Sequence, residues 1–308
     1  MNPALEKDAT YLRDCLKGKI KTENALVDFI MSKTRRDRIL IRTAYKSCFG
    51  VELSKDIEKE LGGNFRETVL GLFDTPSEFD AKCLYKAMKG IGTDEDTLIE
   101  IICTRPNYIL ALIKEDFKKL YKKELEEWVS SETSGGFKKI LISLLQCNRS
   151  ENSQPNDEDM KNFANQLFSE GEGKWGTNET LFNKIFAISS PPELFRINEW
   201  YIKLSGHDLK TAVEKEFSGD LKKALTTILD GIICPAEYFA LRINKAVKGL
   251  GTNDKMLVRV LVSREEIDIP QMRAQYKIKL GKDMVQDIKD DTSGDYQKIV
   301  CAIASKNY

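Results

Sequence analysis

Apolar positions along this chain recur at helical spacing. Leu98, Ile101 and Ile102, with Arg105 after them, fall at i, i+3, i+4 and i+7, and Phe137, Ile140, Leu141, Leu144 and Leu145 form a second stripe of the same kind. That second stripe returns as Phe65, Thr68, Val69, Leu72 and Phe73 near the start and as Tyr296, Ile299, Val300, Ile303 and Ala304 near the end. No alternating strand pattern competes with it. Pro106, Pro191 with Pro192, and Pro270 fall between stripes, where a helix has to stop. The pattern predicts an all-α chain.

Sliding the sequence against itself shows that the stripes belong to a repeat. Adding 72 to Leu26, Phe29, Ile30, Tyr45, Leu53 and Ile57 lands on Leu98, Ile101, Ile102, Phe117, Leu125 and Val129. A further 84 gives Phe182, Ile185, Phe186, Tyr201, Leu209 and Val213, and another 75 gives Leu257, Val260, Leu261, Tyr276, Met284 and Ile288. Six columns stay apolar or aromatic in four copies, spanning 8–73, 80–145, 160–229 and 239–304. Residues 1–7 precede them as a short tail. Residues 150–159, polar and without periodicity, read as a linker that joins two pairs of copies and predicts a fold in two halves.

Within each copy a polar loop interrupts the stripes. Copy two reads Met88-Lys-Gly90-Ile-Gly92-Thr93, and copy four reads Val247-Lys-Gly249-Leu-Gly251-Thr252. Forty residues after the second glycine stands an acid, Glu132 and Asp291 respectively, and copy three repeats the spacing from Gly176 to Glu216. Alternating glycines let a loop turn its carbonyls toward one point. Together with a bidentate carboxylate they supply about five oxygens, short of the six to eight that Ca2+ takes, so water or a ligand oxygen completes the shell. A glycine after a stripe and an acid before Ser-Gly are also ordinary helix ends in any single copy. Three loops keeping one spacing shift the balance toward a hard-cation site.

Composition narrows the class of partner. The 48 basic and 48 acidic side chains cancel, which excludes nucleic acid as an expected ligand and removes the net attraction that would hold the chain on an anionic membrane unaided. Any membrane binding therefore needs an added cation. No uncharged run approaches the roughly 18 residues of a spanning helix, and the first residues carry neither an apolar signal region nor an acceptor for myristoylation, so a cytoplasmic location is expected. Seven cysteines without CxxC spacing read as reduced core thiols.

The loops, their paired acids, the Thr/Ser-Gly after each acid and the longer middle linker resemble the annexin family over nearly the whole chain. The resemblance implies four homologous five-helix repeats in a curved disc that binds Ca2+ and docks reversibly on acidic phospholipid. It implies ligand sets of Met88, Gly90, Gly92 and Glu132 in copy two and Val247, Gly249, Gly251 and Asp291 in copy four. In copy three, with its wider loop, it implies Gly171, Lys174, Gly176 and Glu216. Trp175 at that loop tip sits either at the lipid interface, which indoles favour, or folded back on the protein. Copy one departs: its set would be Leu16, Gly18, Ile20 and Glu60, with β-branched Ile20 in place of the second glycine and lysines around it, so weak or absent Ca2+ binding is expected. Asp80, Glu100, Arg105 and Arg259 match charged positions of the family's central polar passage, read here as an internal salt-bridge network rather than an ion pathway.

No enzyme is expected. His207, the single histidine, has no repeated partner and reads as a surface residue, and no glycine loop carries P-loop spacing. The competing function is a Ca2+-independent scaffold that uses the same fold to bind cytoskeletal or other protein partners; protein partners or self-association on the membrane are also compatible with the main reading. An ion-conducting membrane assembly is a lesser alternative.

Overall fold

The chain is described by a computed structural model covering residues 2–20, 22, 24–173, 176–249 and 251–307. Among them the regular structure is entirely helical. Repeat one contributes α1 (Pro3–Leu16), α2 (Ala25–Met31), α3 (Arg35–Phe49), α4 (Leu53–Glu60) and α5 (Gly63–Phe73). Repeat two contributes α6 (Pro76–Met88), α7 (Glu95–Thr104), α8 (Asn107–Tyr121), α9 (Leu125–Glu132) and α10 (Gly135–Leu145). Repeat three contributes α11 (Asp157–Glu170), α12 (Glu179–Ile188), α13 (Pro191–Ser205), α14 (Leu209–Glu216) and α15 (Gly219–Ile233). Repeat four contributes α16 (Pro235–Val247), α17 (Asp254–Arg264), α18 (Ile269–Leu280), α19 (Met284–Asp291) and α20 (Gly294–Ala304). Residues 3–7, read above as tail, already belong to α1, and the last residues of the linker open α11.

The six repeated apolar columns explain why these helices pack. Leu98, Ile101, Ile102, Phe117, Leu125 and Val129 are all buried, as are their counterparts in repeats three and four; each such side chain removed from water contributes roughly 1.5–3 kcal/mol. Local chemistry sets where each helix begins. Thr34 and Asp37 form a reciprocal capping box at α3, and Ser190 and Glu193 form one at α13, with Pro191 and Pro192 in the first turn where no backbone N–H is needed.

The chain forms two compact units, but not the two that the linker suggested. One is Met1–Phe79 with Phe239–Tyr308, joining repeats one and four; the other is Asp80–Tyr238, joining repeats two and three. In the second unit α7 packs on α15, and α10 packs on α12 and α15, so one apolar core runs through both repeats. The linker is fastened inside that unit: the Arg149 guanidinium donates to the Phe186 carbonyl at 3.0 Å, Ser150 N–H to Ile188 at 2.6 Å, and Ser190 Oγ to the Asn152 carbonyl at 2.8 Å. Polar composition marked it as a surface segment and could not tell a hinge from a strap.

In the first unit α5 packs on α17 and α20, and α2 on α20. A buried charge cluster joins the two repeats there. Arg38 and Glu265 are both fully buried and paired; Arg38 also donates to the carbonyls of Leu72 at 2.9 Å and Lys33 at 2.7 Å, and Lys306 reaches Glu265 at 2.6 Å. The cluster depends on a local irregularity in repeat four. By register α18 would start at residue 266, but it starts at Ile269, and the turn before it swings Glu265 inward. Burial pushes the Glu265 carboxyl up, yet Arg38 and Lys306 more than reverse this and hold it below the usual carboxylate range.

A carboxyl with a depressed folded-state pKa contributes stability that is complete above its unfolded pKa and disappears as pH falls through the folded value. Glu265→Gln should therefore cost about 3–5 kcal/mol at neutral pH, because it strands a buried guanidinium. Its penalty should shrink as urea unfolding is repeated at successively lower pH. An equal penalty at acid pH would mean that packing, not charge, is at stake.

Candidate functional site

The candidate loops lie between the first two helices of each repeat. In repeat two α6 ends at Met88 and α7 opens at Glu95. The loop closes on itself: Asp94 N–H donates to the Ala87 carbonyl at 2.9 Å, while the Asp94 side chain caps α7 by accepting from Thr97 N–H at 3.1 Å. Repeat four repeats both bonds, Asn253 N–H to Ala246 at 2.8 Å and Met256 N–H to Asn253 Oδ1 at 3.1 Å. Repeat three does the same, with Asn178 N–H to Glu170 at 2.9 Å and Leu181 N–H to Asn178 Oδ1 at 3.2 Å.

Between those closures the glycines turn outward. Gly92 and Gly251 share a φ of 83°, and Gly90 and Gly249 lie at 118° and 130°. All four are exposed, and a Cβ at any of them would meet no neighbour, so backbone conformation rather than space demands glycine. Among the described residues no N–H or O–H donates to their carbonyls. The loops thus leave these backbone oxygens without a donor among the described residues.

The acid forty residues later is brought to each loop by the threonine after the second glycine. Thr93 Oγ1 donates to Glu132 Oε2 at 3.0 Å, and Thr252 Oγ1 donates to Asp291 Oδ2 at 2.6 Å and to the Asp291 carbonyl at 2.8 Å. Thr177 Oγ1 donates to Glu216 Oε2 in repeat three. Each acid is the last residue of a short helix, α9, α14 or α19, whose start is set by the buried pair Leu125 and Val129 or its counterparts. Core packing therefore positions one carboxylate beside each carbonyl loop, exposed at Glu132 and half-buried at Glu216 and Asp291. Among the described residues no three His, Cys, Asp or Glu side chains converge, so any ion here would be held mostly by backbone oxygen.

Repeat three is the more elaborate loop. Buried Gly171 leaves no room for a side chain, its Cβ position lying 2.9 Å from the Leu167 carbonyl and 3.1 Å from Phe182. Lys174 and Trp175 lie outside the described residues. Beside them Glu172 gathers groups that sequence reading passed over: it accepts from Tyr201 Oη at 2.8 Å, stands 3.1 Å from His207 Nε2 and takes Lys215 at 3.3 Å. His207 is thus a half-buried partner of this loop, not a plain surface residue. A tyrosine in the Phe117 column, able to donate a hydrogen bond, was the available signal.

Repeat one is built differently. Ile20 holds the register of Gly92, and the loop tightens instead, with the N–H groups of Lys19 and Ile20 both directed to the Asp14 carbonyl at 2.9 and 3.4 Å. The following helix starts late, at Ala25, with Asn24 left-handed at φ 64° and not capping through its side chain. Leu16 is buried, Gly18 is exposed, and Glu60 is bonded to Lys17 at 2.8 Å.

The tip residues were also undervalued by sequence reading. Ile91, between the two glycines of repeat two, is fully exposed; an apolar residue between two outward-turning glycines has no core to enter, and that was legible. Arg105 makes a two-point pair with Asp80 at 2.7 and 3.1 Å, and Glu100 and Arg259 are both buried. Among the described residues no disulfide joins the seven cysteines; Cys103 is buried, its thiol pushed up to about 12, and the other six are partly exposed, so the core assignment holds for one.

Known proteins match this arrangement. A family model described as Annexin matches residues 7–72, 79–144, 162–228 and 238–303. Annexin A13 of Homo sapiens is 40% identical over 299 residues, 97% of this chain and 95% of that protein. Among solved structures, annexin III superposes with a TM-score of 0.95 at 34% identity, covering 100% of this chain and 95% of that one. A calcium-bound annexin (Sm)1 superposes with a TM-score of 0.87 at 29% identity, covering 99% and 91%.

Gly92→Ala and Gly251→Ala test the loop geometry directly. Each should cost about 1–2 kcal/mol in thermal unfolding without added metal, the strain of a left-handed L-residue, whereas Gly62→Ala, at an ordinary extended φ of −126° with open space around it, should cost clearly less.

Proposed function

This chain belongs to the annexin family, and on that premise we propose that it binds acidic phospholipid membranes peripherally and reversibly when Ca2+ is present. The observation that carries the reading is the thrice-repeated bond from the loop threonine to the acid forty residues after the glycine, beside a glycine-bearing loop each time. All donors are hard oxygens, few enough to leave coordination positions for water and for a ligand, which suits Ca2+ better than the strictly octahedral Mg2+.

In repeat two the residues that would hold the ion are Met88, Gly90 and Gly92 through their carbonyls and Glu132 through its carboxylate. In repeat four they are Val247, Gly249, Gly251 and Asp291, and in repeat three Gly171, Lys174, Gly176 and Glu216. Bound there, Ca2+ would supply the positive charge that a lipid phosphate answers. The threonine bond occupies one carboxylate oxygen and orients the other, so little side-chain entropy remains to be lost on binding. Without an ion Glu132, Glu216 and Asp291 repel an anionic surface, and a chain of zero net charge offers no compensating pull. Ile91, exposed between its two glycines, would contact the interfacial layer, and Trp175, which lies outside the described residues, would do so through the preference of indoles for that layer. Among the described residues no helix is long and apolar enough to cross a membrane.

Sedimentation with phosphatidylserine vesicles tests the reading: the protein should pellet in Ca2+ and be released by EGTA. Equal pelleting in both would favour a Ca2+-independent scaffold. Glu132→Gln and Asp291→Asn should each raise the Ca2+ needed for half-maximal binding, by severalfold and more than Glu60→Gln does; Ile91→Ser should weaken binding with the Ca2+ midpoint less affected.

A further inference from the structure

The first repeat retains its acid but uses it for something else. Lys17 Nζ donates to Glu60 Oε1 at 2.8 Å and to Asp56 Oδ1 at 3.1 Å, at the rim of the loop, with side-chain exposures of 25% for Lys17, 27% for Glu60 and 14% for Asp56. Glu60 is the register counterpart of Glu132 and Asp291, and Lys17 that of Lys89 and Lys248. One ammonium therefore joins the first inter-helix loop to the end of α4, the two segments that in repeats two and four are joined by threonine and acid.

The neighbouring columns explain why the lysine turns inward only here. In repeat two Tyr85 stacks on Tyr121 at 3.7 Å and on Trp128 at 5.2 Å, and Lys89 rests over the Tyr85 ring at 5.4 Å. By register Arg13, Phe49 and Asp56 replace those three aromatics in repeat one. Arg13 covers the Phe49 ring at 4.2 Å, so Lys17 loses its aromatic seat and gains a second carboxylate. Tyr45 donates to the other oxygen of Asp56, which fixes that carboxylate facing the lysine. Glu60 first and then Asp56 raise the Lys17 pKa, and Asp56 is lowered chiefly by Tyr45 and then by Lys17. In repeat four the Asp56 counterpart, Asp287, is likewise held by Tyr276 at 2.7 Å, but the lysine near it is Lys282 at 3.5 Å, from the turn before α19.

We propose that Lys17 is a built-in substitute for the divalent cation in the first repeat, closing its loop on Glu60 and Asp56 whether or not calcium is present. The comparison with repeats two and four rests on the calcium reading of their loops; the role of Lys17 does not. Its consequence is a repeat in which one ammonium already offsets one of the two carboxylates, so that Glu60 meets an anionic surface with a counter-charge in place, which the other three acids lack until an ion binds.

Amide hydrogen exchange on the full chain decides it, measured in EGTA and in Ca2+ with phosphatidylserine vesicles. In the unaltered protein the segments 16–22 and 57–62 should be protected in EGTA and change less than about twofold on adding Ca2+ and vesicles, while 88–94 and 247–253 slow markedly. In EGTA, Lys17→Met should speed exchange at 16–22 and 57–62 by about tenfold, the loss expected for a partly buried, two-carboxylate pair, and Lys17→Arg should largely preserve protection. Unchanged protection in Lys17→Met overturns the proposal, and so does a Ca2+ response in 57–62 of the unaltered protein as large as that in 247–253. If 88–94 and 247–253 never respond while Lys17→Met has its effect, the calcium reading fails and the lysine's role stands.

Discussion

A helix leaves its last carbonyls without partners inside the helix, and the fold of this chain turns on where they go. Repeats two, three and four each end their first helix in a loop whose next helix is capped by an Asp or Asn that also reaches back to the last turn, as Asp94 does to Ala87. That closure secures the loop at its base and leaves the intervening glycine carbonyls without a donor among the described residues. The rest of the repeat follows: short helices such as α9 and α19 exist to end at an acid, and the apolar columns beneath them exist to hold those helices in place.

Helical period, repeat number and the loop–acid spacing were legible because each is a local regularity repeated several times. The pairing of repeats was not. Adjacent copies joined by a linker look like halves, and nothing periodic tells which copies share a core; that depends on faces such as those of α7 and α15, or α5 and α20, which match in shape rather than in pattern. The buried Arg38 was readable after the fact. In its column the other copies carry Leu110, Leu194 and Ile269, all buried, so a guanidinium there had to find an internal carboxylate. Which one it would find was hidden, because Glu265 reaches it only through the shortened start of α18.

At the candidate loops, spacing identified the acids and glycines but said little about the threonines, whose hydroxyls make the link between them. The first loop shows the opposite limit. Its lost glycine pointed to lost metal binding, yet the fate of the stranded carboxylate lay in two aromatic-to-polar exchanges, at Arg13 and Asp56, that only make sense together with the inward turn of Lys17. Glu265 in the core is answered by arginine, and Glu60 at the rim by lysine.

The grouping of the first and fourth repeats also bears on the order of synthesis. The unit of repeats two and three is continuous in sequence, and its core is complete once Tyr238 has emerged from the ribosome. The other unit must keep residues 1–79 waiting, their apolar faces unpaired, until the last helices are made. Domains usually fold as they appear, and exposed apolar surface invites misassembly in the interval. Arg38, buried in the finished unit, is a charge on the very face that has to wait; until Glu265 arrives it keeps that face hydrated, and afterwards it marks the partner for which the face was held open.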